Sequence, residues 1–334
     1  MTTILPADLG LDLVRATEAA ALTAGRWMGL GQPDQANLAA SQAMGQALNI
    51  LDIDGRIVIG EEGKLGQHSP LDSGQTVGSG SGPVLDIVLD PIDGARLLAI
   101  GHSDAMAVIG VAPRGAMRSL YPAVYMEKIV VDREAAGSLV PECLDAPAAW
   151  TLALVARVKK KAVRDLIVFV LDRPRHVHLV EEIRTAGARV LLRQEGDIAG
   201  ALSAAAHADV DILMGVGGVA EGVIAACAVK SLGGGMLARL APQSEIEHQA
   251  VASAGLDIRE VYSCDDLVAG KATFFAATGI TSGVLLAGVR YKGDEAETES
   301  MVLRGETGTR RIIRAFHNLS LEFQITRQAG NNDC

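Results

Sequence analysis

Val84-Leu85-Asp86-Ile87-Val88-Leu89-Asp90-Pro91-Ile92-Asp93-Gly94 is the stretch on which the reading of this chain turns. Its first six residues are mostly aliphatic and β-branched, as in a buried strand. The strand runs straight into Asp90, and Pro91 prevents a helix from starting at once. Asp93 and Gly94 then fall where the chain leaves the strand. Carboxyl ends of strands are where α/β sheets place their ligands, and a strand seldom ends in two closely spaced acids without a use for them.

Working outward, residues 8–31 carry a helical stripe of Leu13, Ala16, Ala20, Ala24, Trp27 and Met28. A second helix is expected from Leu38 to Leu48, and Arg56-Ile57-Val58-Ile59-Gly60 reads as a strand ended by glycine. The Gly-rich stretch from Gly63 to Gly82 reads as a surface loop, or as a mobile cover over a site. Met106 to Val111 and Ile129 to Val131 are further strands. Past Leu152 strands and helices alternate: Leu166 to Leu171, helix His178 to Ala186, Val190 to Leu192, helix Ile198 to Ala206, Val210 to Met214, helix Glu221 to Leu232. That alternation predicts a parallel sheet covered by helices. Strand-like runs return at Gly283 to Val289 and Glu299 to Leu303, and Gln328 to Cys334 reads as a disordered tail. The fold class is α/β.

Bulk properties exclude several functions. Of 334 residues 49% are hydrophobic and only 3% aromatic, so small aliphatic residues must fill the core, and 37 glycines suit many tight turns. A net charge of -10 argues against nucleic-acid binding, which needs clustered Lys and Arg. Lys159-Lys160-Lys161 reads as a solvated helix face. Cys143, Cys227, Cys264 and Cys334 lack the spacing of a zinc site or a disulfide scaffold. With no apparent leader and no apolar run of membrane-spanning length, a soluble cytoplasmic protein without membrane or nucleic-acid partners is expected.

Three acidic features sit at strand ends: Glu61-Glu62 after Gly60, the pair Asp90 and Asp93, and Glu221 after Gly217-Gly218-Val219-Ala220. Alone, Glu61-Glu62 could be an exposed turn and Glu221 a partner of its helix dipole. Together they suggest carboxylates gathered around divalent cations, which prefer oxygen ligands. Such ions polarise a phosphoryl oxygen and acidify a bound water. The implied chemistry is phosphate-ester hydrolysis.

The chain resembles the class II fructose-1,6-bisphosphatases of the lithium-sensitive phosphatase superfamily. The resemblance rests on Arg15 to Leu22, Gly55 to Glu61, Asp86 to Arg96, Tyr125-Met126-Glu127-Lys128, Arg173-Pro174-Arg175-His176, Gly215 to Gly222, Ala276 to Thr281 and Arg310 to Phe316. It implies a layered α/β/α/β/α sandwich of two α/β domains. Residues 1–150 would bind metal, 151–272 would bind sugar phosphate, 273–325 would return to the first domain, and 326–334 would form a tail. It further implies Mg²⁺ or Mn²⁺ held by Glu61, Asp90, Asp93 and Glu221, which would carry the catalysis, with Asn37 at a fifth ligand position. Asp93, Gly94 and Ala95 would meet the phosphate. Tyr125, Arg173, Arg175, His176, Glu195, Gly196, Asp197 and Gly218 would hold the sugar phosphate. Without the resemblance, Arg173 and Arg175 read as surface charge and Tyr125 as a core aromatic. Homo-oligomers are usual in such proteins.

The chain departs from that pattern inside the site. Asn37 stands where the family has a metal-binding aspartate, and Ala95 where it has a threonine. Gly60-Glu61-Glu62-Gly63-Lys64-Leu65-Gly66 replaces a Gly-Glu-Gly-Glu signature. Gln32-Pro33-Asp34-Gln35 replaces a lysine-bearing stretch, and Ala220 a proline. The leading expectation is a metal-dependent sugar-bisphosphate hydrolase. The alternatives are a paralogue recruited to another phosphorylated sugar, nucleoside or cyclitol, or a non-catalytic sugar-phosphate binder.

Overall fold

A computed structural model describes residues 5–61, 69–206 and 208–320. The first part of the chain forms α1 (Leu9–Ala24), α2 (Pro33–Asn49), β1 (Asp54–Ile59), β2 (Thr76–Val77), β3 (Val84–Asp93), α3 (Ala95–Ala99), β4 (Met106–Pro113) and β5 (Tyr125–Val131). Next come α4 (Ala148–Val158), β6 (Ile167–Leu171), α5 (Val177–Thr185), β7 (Arg189–Arg193), α6 (Asp197–Ala205), β8 (Ile212–Gly218) and α7 (Val219–Leu232). The chain ends in β9 (Gly235–Leu240), α8 (Glu245–Ser253), β10 (Val261–Ser263), α9 (Cys264–Leu267), β11 (Phe274–Gly279), β12 (Arg290–Lys292), β13 (Glu295–Arg304) and β14 (Thr309–Asn318).

The strands make two mixed sheets. One runs β12-β13-β11-β4-β3-β1-β2, with β14 paired to β13; the other runs β10-β9-β5-β8-β6-β7. Helices α1 and α2 pack on the outer face of the first sheet. Helices α6 and α7 touch strands of both sheets, and α4 and α5 cover the far face of the second. The result is the expected five-layer α/β/α/β/α order, with one apolar core in each of the three seams that hold helices against sheets. The middle seam uses small residues, Ala225, Ala226, Ala228 and Ala201 among them, which lets α6 and α7 lie close to both sheets.

Several expectations need correction. The three strands expected to run parallel, β6, β7 and β8, do so, but β5, β9 and β10 join them antiparallel and make the sheet mixed. Strand β5, within the stretch 1–150, belongs to the second sheet, so the chain crosses over just before Tyr125. Gly283 to Val289 is not a strand. Three of its amides go to side chains instead of a neighbouring strand: Val284 to Asp104, Ala287 to Glu299 and Gly288 to Ser282. The first helix stops at Ala24 and passes into a single 3-10 turn, Gly25–Trp27, and Met28 beyond it is half exposed. Within the Gly-rich stretch, residues 69–82 are tied to β1. Leu71 accepts from the Glu61 amide at 3.0 Å, and Gln75 from that of Ile57 at 2.9 Å. Glu62, residues 63–68 and the expected tail lie outside the described residues.

Candidate active site

Parallel pairing of β1 and β3 sets the acids side by side. Ile59 is the partner of Val88, so two residues further on Glu61 leaves β1 beside Asp90 at the end of β3. Glu61 is fully buried, and Asp90 and Asp93 nearly so. Asp90 accepts the amide of Ile92 at 3.0 Å, which fixes the Asp-Pro-Ile turn. Gly94 then takes φ 87, a left-handed conformation that β-carbons disfavour, and α3 begins at Ala95. Not every acid of β3 faces this site. Asp86 is buried against Arg56 at 2.8 Å and the Gly115 amide at 2.6 Å, which anchors the sheet instead.

Helix α2 brings Asn37 to the same place. Its Nδ2 donates to Glu61 Oε2 at 2.7 Å, and its Oδ1 is buried with no hydrogen-bond partner among the described residues. An orphaned buried carbonyl oxygen carries a desolvation cost of about 1–3 kcal/mol unless something satisfies it. The donors nearby at the ends of β1 and β3, Glu61, Asp90 and Asp93, are all carboxylate oxygens, the ligand type that a hard divalent cation prefers. Among the described residues, however, no three His, Cys, Asp or Glu side chains form a group able to hold one metal ion. Glu221 folds back over its own helix start, so a β-carbon on Gly218 would lie 1.8 Å from Glu221 Oε2.

The second sheet supplies the other wall. Asp93 Oδ2 accepts the Ala199 amide of α6 at 3.4 Å, and Glu195 accepts the Arg96 amide at 3.1 Å; these contacts join the two halves. Asp197 pairs at 2.5 Å with Lys128, which is fully buried on β5. Gly217 must be glycine, because a β-carbon there would lie 2.0 Å from Asp197 Oδ2 and 2.6 Å from Lys128 Nζ. Lys128 carried no assigned role in the sequence. Its signal was parity: Met126, Lys128 and Val130 alternate inward on β5, and a lysine at an inward position needs a buried partner.

Arg175 Nε and Nη2 both donate to the Val216 carbonyl, at 3.2 and 2.9 Å, and its guanidinium lies 5.0 Å from the Tyr125 ring centre. Partial burial lowers the Arg175 pKa, and the nearby charge of Arg173 adds to this. His176 departs from its expected role. Its Nδ1 bonds the Leu171 carbonyl at 2.6 Å and its Nε2 accepts the Val216 amide at 2.8 Å. Both ring nitrogens are thus taken by backbone, and burial holds the imidazole below its ordinary pKa. Neutral His176 pins β8 and leaves no ring nitrogen for a sugar. A cavity of about 490 Å³ runs beside Arg193, Glu195, Gly196 and Ala199. Another of about 500 Å³ abuts Ile59, Val219 and Ala220, next to Glu61 and Glu221.

Comparison with known proteins assigns the family. Residues 7–317 match the family described as bacterial fructose-1,6-bisphosphatase, glpX-encoded. A class 2 fructose-1,6-bisphosphatase of Haemophilus influenzae is 39% identical over 331 residues, 95% of this chain and 98% of that protein. Fructose-1,6-bisphosphatase 1 class 2 of Escherichia coli K12 is 36% identical over 326 residues, 93% and 96% of the two chains. With residues 7–317 matched and curated relatives aligned over nearly the whole length, the chain belongs to the glpX-type, class 2 bacterial fructose-1,6-bisphosphatase family.

Proposed function

We propose that this protein hydrolyses one phosphate ester of a sugar bisphosphate of the fructose-1,6-bisphosphate type, using Mg²⁺ or Mn²⁺. The observation that supports the reading is the parallel β1–β3 register, which brings Glu61 to the end of β3 where Asp90 lies, together with the Asn37–Glu61 bond and the orphaned Asn37 carbonyl. Those residues would hold the cation, with Glu221 completing the set. When bound, such an ion supplies charge to the phosphoryl oxygens and acidity to a water.

The chain's own groups would bind and orient the substrate. Arg173 and the free donors of Arg175 suit the far phosphate, since a guanidinium fork pairs with phosphate oxygens. Tyr125, stacked under Arg175, and Asp197, held by Lys128, would flank the sugar together with Glu195, Gly196 and Gly218. The Gly94-Ala95 turn lets the phosphoryl group approach Asp93 closely. Ala95 brings no hydroxyl there, and positioning groups supply most of the catalysis in phosphoryl transfer. Self-association belongs to the same reading, because the outer edge of β14 has no strand partner among the described residues and exposes Ile312 and Phe316.

Full-length similarity to hydrolases favours turnover over a binding-only role. Phosphate release from a panel of sugar phosphates with Mg²⁺ or Mn²⁺ tests the reading. Ala95→Thr is expected to raise kcat at least tenfold by restoring a positioning hydroxyl. No release from any sugar phosphate, by either protein, would refute it.

A further inference from the structure

Outside the groups considered so far, one buried acid has an unusual set of contacts. Glu247 is 7% exposed, and each of its oxygens is used. Oε1 accepts the amides of Val124 at 2.8 Å and Tyr125 at 2.9 Å, while Oε2 accepts that of Gln243 at 2.8 Å. Its own amide donates to Ser244 Oγ, the N-cap of α8, at 3.2 Å. In an ordinary capping box the third helical side chain returns to the backbone of the capping residue. Here the carboxylate reaches one residue further back and also crosses to the start of β5.

What it holds there matters. The Tyr125 carbonyl accepts from Ala241, so both sides of that residue's backbone are clamped to the segment leading into α8. The Val124 carbonyl accepts from Val219 at 2.8 Å, the first residue of α7 and two before Glu221. Tyr125 in turn lies opposite Gly218 in the β5–β8 ladder. One carboxylate therefore connects α8 with the backbone carrying Tyr125 and, through a single further bond, with the turn carrying Gly218 and Glu221. Charge-assisted bonds of this kind are about twice as strong as neutral ones.

We infer that Glu247 is a positioning residue for the sugar-bisphosphate site, setting Tyr125 and the Gly218–Glu221 turn from behind. The inference rests on the proposed roles of those residues, so its test has one arm that does not use activity. In Glu247→Ala, and more mildly in Glu247→Gln, hydrogen exchange at the Val124, Tyr125 and Val219 amides should quicken at least tenfold. Exchange in the unrelated β6 should stay unchanged. In the second arm, Glu247→Ala should raise KM for fructose-1,6-bisphosphate about tenfold, and the exposed neighbour change Glu245→Gln should not. Tyr125→Ala should cost less in the Glu247→Ala background than in the parent, because the two act on one contact. Unchanged protection at the three amides overturns the inference whatever the activity. So does a KM within twofold of the parent while Tyr125→Ala alone raises it. If the parent protein turns over no sugar phosphate, the functional reading falls, and exchange still decides the role of Glu247. Should Glu247→Ala fail to fold, Glu247→Gln carries both arms, since it keeps an acceptor for Val124 and Tyr125 but sets an amide donor against Gln243.

Discussion

Replacing Asn37 with aspartate should make the protein's stability depend on divalent cations. In the structure Asn37 Nδ2 donates to Glu61 Oε2 at 2.7 Å, in a buried setting. Aspartate turns that donor into a second carboxylate oxygen facing the first. Two unit charges about 4 Å apart repel by roughly 4 kcal/mol at an effective dielectric constant of about 20. A lost hydrogen bond to a charged group adds on the order of 1.5–3 kcal/mol. The repulsion has a ceiling, because protonating an ordinary carboxylate at pH 7 costs about 4 kcal/mol and relieves it. A net penalty near 4 kcal/mol is expected for the metal-free variant, which lowers Tm by roughly 5–10 °C in a chain of this size. Adding Mg²⁺ or Mn²⁺ should recover most of the loss, since an ion at 100 times its Kd adds about 2.7 kcal/mol. The assay is thermal unfolding of parent and variant in chelator and in each metal, with a repeat near pH 5, where a shared proton should shrink the gap. If Asn37→Asp melts with the parent in chelator, and metal moves both equally, then Asn37 and Glu61 do not form part of a cation site.

Three further outcomes follow from the same geometry. Gly217→Ala should lower stability by about 1–3 kcal/mol and impair phosphate release, because the methyl meets Asp197 and Lys128, the latter 2.6 Å away; denaturant unfolding and KM read this directly. Burial pushes the Cys227 and Cys264 thiols from 9.0 up to about 12. The unfolded chain therefore loses those protons first, and stability present below pH 9 should fall above it by roughly 1.4 kcal/mol per thiol per pH unit; Cys227→Ala should flatten that slope in urea titrations. His176 runs the other way. Its pKa is held below 6.5 chiefly by burial, opposed by the Leu171 bond, so stability present above pH 6.5 should be lost as pH falls and the unfolded chain protonates; a His176→Gln variant should lack that acid limb.

How much of this was legible depends on range. Helices α2, α5, α6 and α7 and strands β1, β3, β4, β6 and β7 follow local periodicity, and the sequence shows them to within a few residues. The acids at the ends of β1 and β3 were legible for the same reason, since strand ends and proline turns are local features. Partnership was not. Gly283 to Val289 has β-branched and aliphatic residues, yet its amides are taken by Asp104 and Glu299, which are distant in sequence. His176 was assigned to the sugar phosphate by the family resemblance alone; only the fold shows Leu171 and Val216 on either side of its ring. Glu247 sits in Ser244-Glu245-Ile246-Glu247-His248, where no local feature marks it as buried. Only the arrival of Val124 and Tyr125 buries it.

The first sheet is completed late. Strand β11 inserts between β4 and β13, and roughly 160 residues separate the end of β4 at Pro113 from Phe274. At ribosomal speeds of about 5–20 residues per second, the open flank of β4 would wait on the order of 10–30 s for its neighbour. During that interval the second sheet can assemble, while the nascent amino-terminal half exposes an apolar strand edge of the kind chaperones recognise. A premature stop before β11 would therefore not leave a smaller working enzyme. It would leave an aggregation-prone fragment, because β11 and β13, which come late in the chain, are inner strands of its first sheet.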